Sequence, residues 1–182
     1  MSSLPRHDRL TVWLHWLIGI PILFMIPTGL IMTRDDLPRE TRDILFLFHK
    51  NAGTLLLAAI AIRVLHRIRT RPPALPLSMP ALQRRAAQIS HFGLYLLMVV
   101  LPVSGFIRVR AGGFPIEILG LSGAGSIVPR SDALASLASQ IHDVAGTALI
   151  GLLALHLSAA AYHGLILRDG VLRRILPGRR SV

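Results

Sequence analysis

The chain has 182 residues, of which 52% are hydrophobic and 16% charged, with a mean hydropathy of +0.57. A soluble domain carries about a quarter charged residues, so this composition excludes an ordinary water-soluble fold and implies membrane-embedded helices. The net charge is +11 and there is no cysteine, which removes disulfides, iron–sulfur clusters and the CxxCH attachment of covalent heme.

Four apolar windows follow in chain order: Leu10–Met32, Ile44–Ile62, Ile89–Ile107 and Ala138–Leu167. Each supplies roughly the 20 apolar residues needed to cross a bilayer core about 30 Å thick, and backbone groups in lipid must be satisfied within a helix. Spans at about 10–32, 44–65, 87–108 and 138–167 are therefore expected, as one all-α transmembrane bundle over residues 1–182. The first window is too long for a signal-peptide core, and no small-residue cleavage site follows Met32. It reads as a retained span.

The connections are short. Arg71-Pro72-Pro73-Ala74-Leu75-Pro76 reads as an extended linker, and Ala111–Ser136 is rich in Gly and Ser. Within the latter, Ile116–Leu121 is apolar enough to lie on the outer surface as a short lid.

Charge orients these spans. The N-terminus, the loop after the second span (from Arg63 to Arg85) and the C-terminus (with Arg168, Arg173, Arg174, Arg179 and Arg180) share one side and hold thirteen Lys and Arg. The other side holds seven, among them Lys50, Arg108 and Arg110, balanced by seven acids. The positive-inside rule makes the basic side, with both termini, cytoplasmic. The pI of about 11.8 thus reports topology and contact with anionic lipid, and no nucleic-acid partner is expected.

Eight histidines are many for such a chain, and a polar residue inside a span is a functional candidate by default. His15 lies near the cytoplasmic end of the first span and His49 near the outer end of the second. His142 and His156 lie near the two ends of the last. Fourteen residues at about 100° each bring those two within about 40° of one helix face, some 21 Å apart along the axis. Depth pairs His15 with His156 and His49 with His142. Two bis-imidazole sites with no open coordination position suit electron transfer. Four residues after each histidine stand Gly19, Gly53, Gly146 and Ala160, leaving room on the same face for a flat ring system; small residues at such positions also serve close helix packing. A metal transporter would need carboxylates beside these histidines, and the spans hold almost none. His7 and His66 sit among arginines and read as solvated. His91 and His163 are open between contact with a cofactor carboxylate, contact with a quinone, and packing.

The motifs LHWL at His15, FHKNAG at His49, HFGLYLLMVVLPVSG from His91, IHDVAG at His142, ALHLSAAAYH through His156 to His163, and RRILPGRR at the end together resemble the bacterial cytochrome b561 family over nearly the whole chain. The resemblance implies a four-helix bundle with two hemes b, their iron ligated by His15, His49, His142 and His156, in the bacterial inner membrane. It implies a ubiquinone near the cytoplasmic heme, where His91, His163 and Trp16 would contribute contacts; Trp16 also fits an interfacial anchor. It implies a superoxide:ubiquinone oxidoreductase activity, with superoxide or another one-electron donor on the outer side. Lys50, Arg108 and Arg110 are the candidates for steering that anion, against a plain helix-end role. The alternative is a membrane anchor that takes electrons from a hydrogenase or dehydrogenase partner subunit.

Overall fold

The computed structural model describes residues 5–70, 72–74, 79–120 and 127–178. Arg71, Leu75 and Pro76 of the linker, Leu121 of the lid, and Arg179 and Arg180 of the tail lie outside them. Among the described residues every regular element is helical: α1 (Arg9–Met32), α2 (Arg39–Arg69), α3 (Ala81–Ala111), α4 (Glu117–Gly120) and α5 (Asp132–Ala161). A π-helical segment, Tyr162–Leu167, continues α5, and a 3₁₀ turn, Leu172–Arg174, is the last regular element among the described residues.

Four of these elements are long and apolar enough to cross a membrane: α1, α2, α3, and α5 with its π-helical extension. α2 and α3 have 31 residues each, about 46 Å of helix, so they overrun their apolar windows into the headgroup region. Hydropathy reports the lipid thickness rather than the helix length. Asp8 caps α1 by accepting from Thr11 N at 2.9 Å, and Ser131 caps α5 by accepting from Leu134 N at 3.3 Å. Pro21 and Pro27 in α1 and Pro102 in α3 sit inside spans, where neighbouring helices make such breaks tolerable.

Only 6–11% of the most apolar window of each span is buried within the protein, so most apolar side chains face outward or into an interior gap. α3 runs along α5, α1 along α2, and α2 against α3, whereas α5 makes no comparable backbone approach to α1 or α2. Ile18, Leu56 and Ile60 form a small core that ties α1 to α2. The gap between α5 and the α1–α2 pair is the main internal feature.

The lid forms as α4. It is bound to α2 through Asn51, whose Oδ1 accepts from Ile118 N at 3.0 Å and whose amide donates to Glu117 at 2.6 Å. Ile116 is 2% exposed, so this segment is docked rather than laid on the surface.

The first and last described residues meet at the opposite end of the bundle. Arg174 is buried and donates to the carbonyls of Pro5 at 2.9 Å, Pro73 at 2.9 Å and Ala74 at 3.1 Å. One guanidinium thereby joins the N-terminus, the α2–α3 connection and the tail. Trp16 Nε1 donates to Ile175 O at 2.8 Å, and Arg6 donates to Leu176 O at 2.5 Å. His66, expected in solvent, lies 3.0 Å from Asp8 Oδ1 and 3.1 Å from Thr11 Oγ1. The α1 cap is thus tied to α2.

Two predictions concern this clasp. Arg174→Ala strips three carbonyls of a charged donor and should cost about 2–3 kcal/mol, read as a lower midpoint of thermal unfolding in detergent. Acid should loosen the clasp as well. Burial, then Arg174, hold the His7 imidazole below its ordinary range. The unfolded chain thus binds the extra proton more readily, and stability falls as pH drops through about 6.5. For Asp8, burial pushes the carboxyl up but is outweighed by the Thr11 and His66 hydrogen bonds, which hold it at about 2. Its contribution is present above about pH 4 and lost toward 2. Faster proteolysis of the N-terminal residues in each window is the expected reading; a rate independent of pH would contradict it.

Candidate functional site

At the end of the bundle away from the termini, the His49 ring on α2 and the His142 ring on α5 face one another with centres 6.3 Å apart and planes at 76°. Call this the distal pair. His142 Nδ1 lies 2.9 Å from Leu101 O and 3.2 Å from Ser104 Oγ. A carbonyl only accepts, so Nδ1 carries the proton and Nε2 keeps its lone pair. Buried His49 Nδ1 has no hydrogen-bond partner among the described residues. Around the pair lies a cavity of about 1520 Å³, lined by residues of α1, α2, α3, α4 and α5.

Nearer the termini, His15 on α1 and His156 on α5 form the proximal pair, with ring centres again 6.3 Å apart and planes at 58°. His91 on α3 joins them, its ring 5.7 Å from that of His156. Trp16 stands edge-on to His15 at 5.4 Å while its indole N–H is used by the tail. Arg63, counted from sequence among the loop arginines, is instead buried within α2. Its Nη2 is 3.5 Å from His15 Nδ1, because the helix continues to Arg69 and keeps Arg63 on its interior face. His163 begins the tail, with Nδ1 2.5 Å from Asp169 Oδ2.

Each pair spans the gap between α5 and the α1–α2 pair. With a metal–nitrogen bond of about 2.0–2.1 Å and a nitrogen about 1.1 Å from its ring centre, imidazoles on opposite sides of one ion have centres roughly 6.3 Å apart. Rings sharing that axis can turn about it, so the plane angles are no obstacle. Among the described residues no three His, Cys, Asp or Glu side chains converge to hold an ion. Each pair offers two imidazoles, which would fit a metal whose other ligands come from a macrocycle.

Sequence reasoning missed two glycines that shape the distal pair. A Cβ on Gly105 would lie 3.0 Å from His142 Cε1, and one on Gly29 would lie 3.1 Å from His49 Cε1. They sit on α3 and α1, across from the rings, not four residues along the same helix. Of the glycines picked out from spacing, Gly19 faces open space, and a Cβ on Gly53 or Gly146 would meet only side-chain carbons at 3.5 and 3.9 Å. All three positions leave room.

The candidate steering cations are largely neutralised. Lys50 lies 2.7 Å from Glu117, and Arg108 lies 3.7 Å from Asp143. Burial pushes the Glu117 carboxyl up, but hydrogen bonds from Lys50 and Asn51 outweigh it and hold the group below its ordinary range. Arg110, half-buried at the end of α3, has no carboxylate partner among the described residues.

A membrane bundle with histidines opposed in two pairs across an internal gap is a membrane cytochrome in its class. The model of the prokaryotic cytochrome b561 family matches residues 6–178, and the chain belongs to that family. It is a multi-pass electron-transfer protein of the bacterial inner membrane with a b-type heme requirement. Cytochrome b561 homolog 2 of Escherichia coli is 29% identical over 94% of this chain and 91% of that protein. Cytochrome b561 homolog 1 of the same organism is 28% identical over 96% and 99%. A probable superoxide oxidase CybB of Yersinia pestis is 26% identical over 97% and 98%.

The two glycines give a direct check. Gly29→Ala and Gly105→Ala should each lower heme b content, because the added methyl displaces a histidine ring, while helix content by circular dichroism stays unchanged. Full heme retention in both variants would show that these rings have freedom to move.

Proposed function

We propose that the chain binds two hemes b, one between His15 and His156 and one between His49 and His142, and carries electrons across the membrane to ubiquinone. The observation that supports this best is the 6.3 Å separation of ring centres repeated in both pairs. When bound, the hemes supply one-electron chemistry. The chain's own residues hold and surround them. His142 is fixed in orientation by Leu101 O and Ser104, as ligating histidines commonly are. The positive-inside rule supports a cytoplasmic position for the end where the first and last described residues meet, with the proximal pair on that side of the membrane.

Ubiquinone then belongs at that end, where a quinol can take its two protons from the cytoplasm. His163 bears a ring whose Nδ1 is engaged by Asp169, so Nε2 is the nitrogen left to meet a quinone oxygen. His91, against His156, and Trp16, against His15, would border the same region or a heme carboxylate. On the outer side the donor is superoxide in our reading, supported by similarity to a probable superoxide oxidase over 97% of this chain. Arg110 is the cation best able to attract an anion there, since Lys50 and Arg108 are paired.

That pairing is also the observation that favours a second reading, a membrane anchor receiving electrons from a hydrogenase or dehydrogenase subunit. With Lys50 and Arg108 matched by carboxylates, the outer end has little net field to steer a small anion.

The test is spectroscopic and kinetic. Pyridine hemochrome analysis should find two hemes b per chain, and His142→Ala and His156→Ala should each lose about half the pigment. Superoxide should reduce the hemes rapidly in stopped flow and yield quinol. Slow reduction without quinol, together with a stoichiometric partner in mild detergent, would establish the anchor instead.

A further inference from the structure

Arg63 is 9% exposed and lies six residues before the end of α2 at Arg69, where neighbouring segments cover its charge. A cation held there is expensive and normally paired. Its Nη1 donates to Thr11 O at 3.3 Å, and its Cζ sits 5.4 Å from the centre of the Tyr95 ring. Its Nη2 approaches His15 Nδ1 at 3.5 Å. No carboxylate forms an ion pair with it among the described residues. Asp8, at the same end, is engaged by His66 and Thr11.

The distal pair has the opposite surroundings. His142 Nδ1–H gives its proton to a carbonyl at 2.9 Å, which makes the ring a more basic ligand. The arginine at that end, Arg108, has its charge matched by Asp143.

We infer that these surroundings hold the two heme positions at unequal potentials, the proximal one higher, and that Arg63 is the residue that raises it. The inference rests on the di-heme reading above. Gaining an electron lowers the charge of a heme site by one. An unmatched buried cation beside the ligand therefore stabilises the reduced form, and low polarity strengthens the effect. A carbonyl accepting from the ligand stabilises the oxidised form. Both differences favour the electron at the end where the termini meet. Arg63 acts through His15 and touches no substrate.

Potentiometric titration of the full-length, heme-loaded protein tests this, with heme content measured on every sample. The wild type should titrate in two one-electron steps. In Arg63→Gln the higher step should shift at least tenfold toward the oxidised form, about 59 mV, while the lower step stays. Arg63→Lys, which keeps the charge, should hold the wild-type value. A smaller shift in Arg63→Gln, an equal shift in Arg63→Lys, or both steps moving together would overturn the inference. Should Arg63→Gln lose pigment, the single-site proteins His142→Ala and His156→Ala decide. The form retaining the proximal heme must have the higher potential, and the reverse order overturns the inference. A colourless wild type would overturn the di-heme reading itself.

Discussion

The opposed imidazoles at two depths are the constraint on which the rest of this bundle depends. Helices in lipid gain little from burying apolar surface against one another, and here α5 stands away from α1 and α2 instead of closing on them. Gly53 and Gly146 line the cavity there, and Gly29 and Gly105 let the distal rings stand against neighbouring backbones.

Electrostatics differ from one end to the other. At the terminal end, Arg174 spends its donors on three backbone carbonyls and stitches three chain segments together, while Arg63 has no carboxylate partner among the described residues. At the far end, Lys50 and Arg108 meet Glu117 and Asp143. The total of +11 therefore says less about local fields than the placement of these few residues. The far end, with seven basic and seven acidic residues, is close to neutral, and the excess positive charge gathers at the end where the first and last described residues meet.

Legibility from sequence followed the range of the physics involved. Hydropathy and helical period act along a single segment, so the four spans and the shared face of His142 and His156 could be read directly. Helix ends were read short, because polar ends of α2 and α3 extend past the lipid. Arg63 was read as a loop residue because charge within a few residues of an apolar window looks exposed until a neighbouring helix covers it. His66 looked solvated for the same reason, although Asp8, a residue from another segment, claims it.

What the chain determined by itself was the number of spans, the absence of any cysteine-based chemistry, and the position of each histidine along its helix. These follow from local composition and a rise of about 1.5 Å per residue. Only the tertiary structure decided which glycines stand against the rings, which cations are matched, that His91 joins the proximal pair, and that Arg63 lies beside His15. Those relations depend on how each helix is rotated and spaced against its neighbours, which is set by packing between segments far apart in the chain.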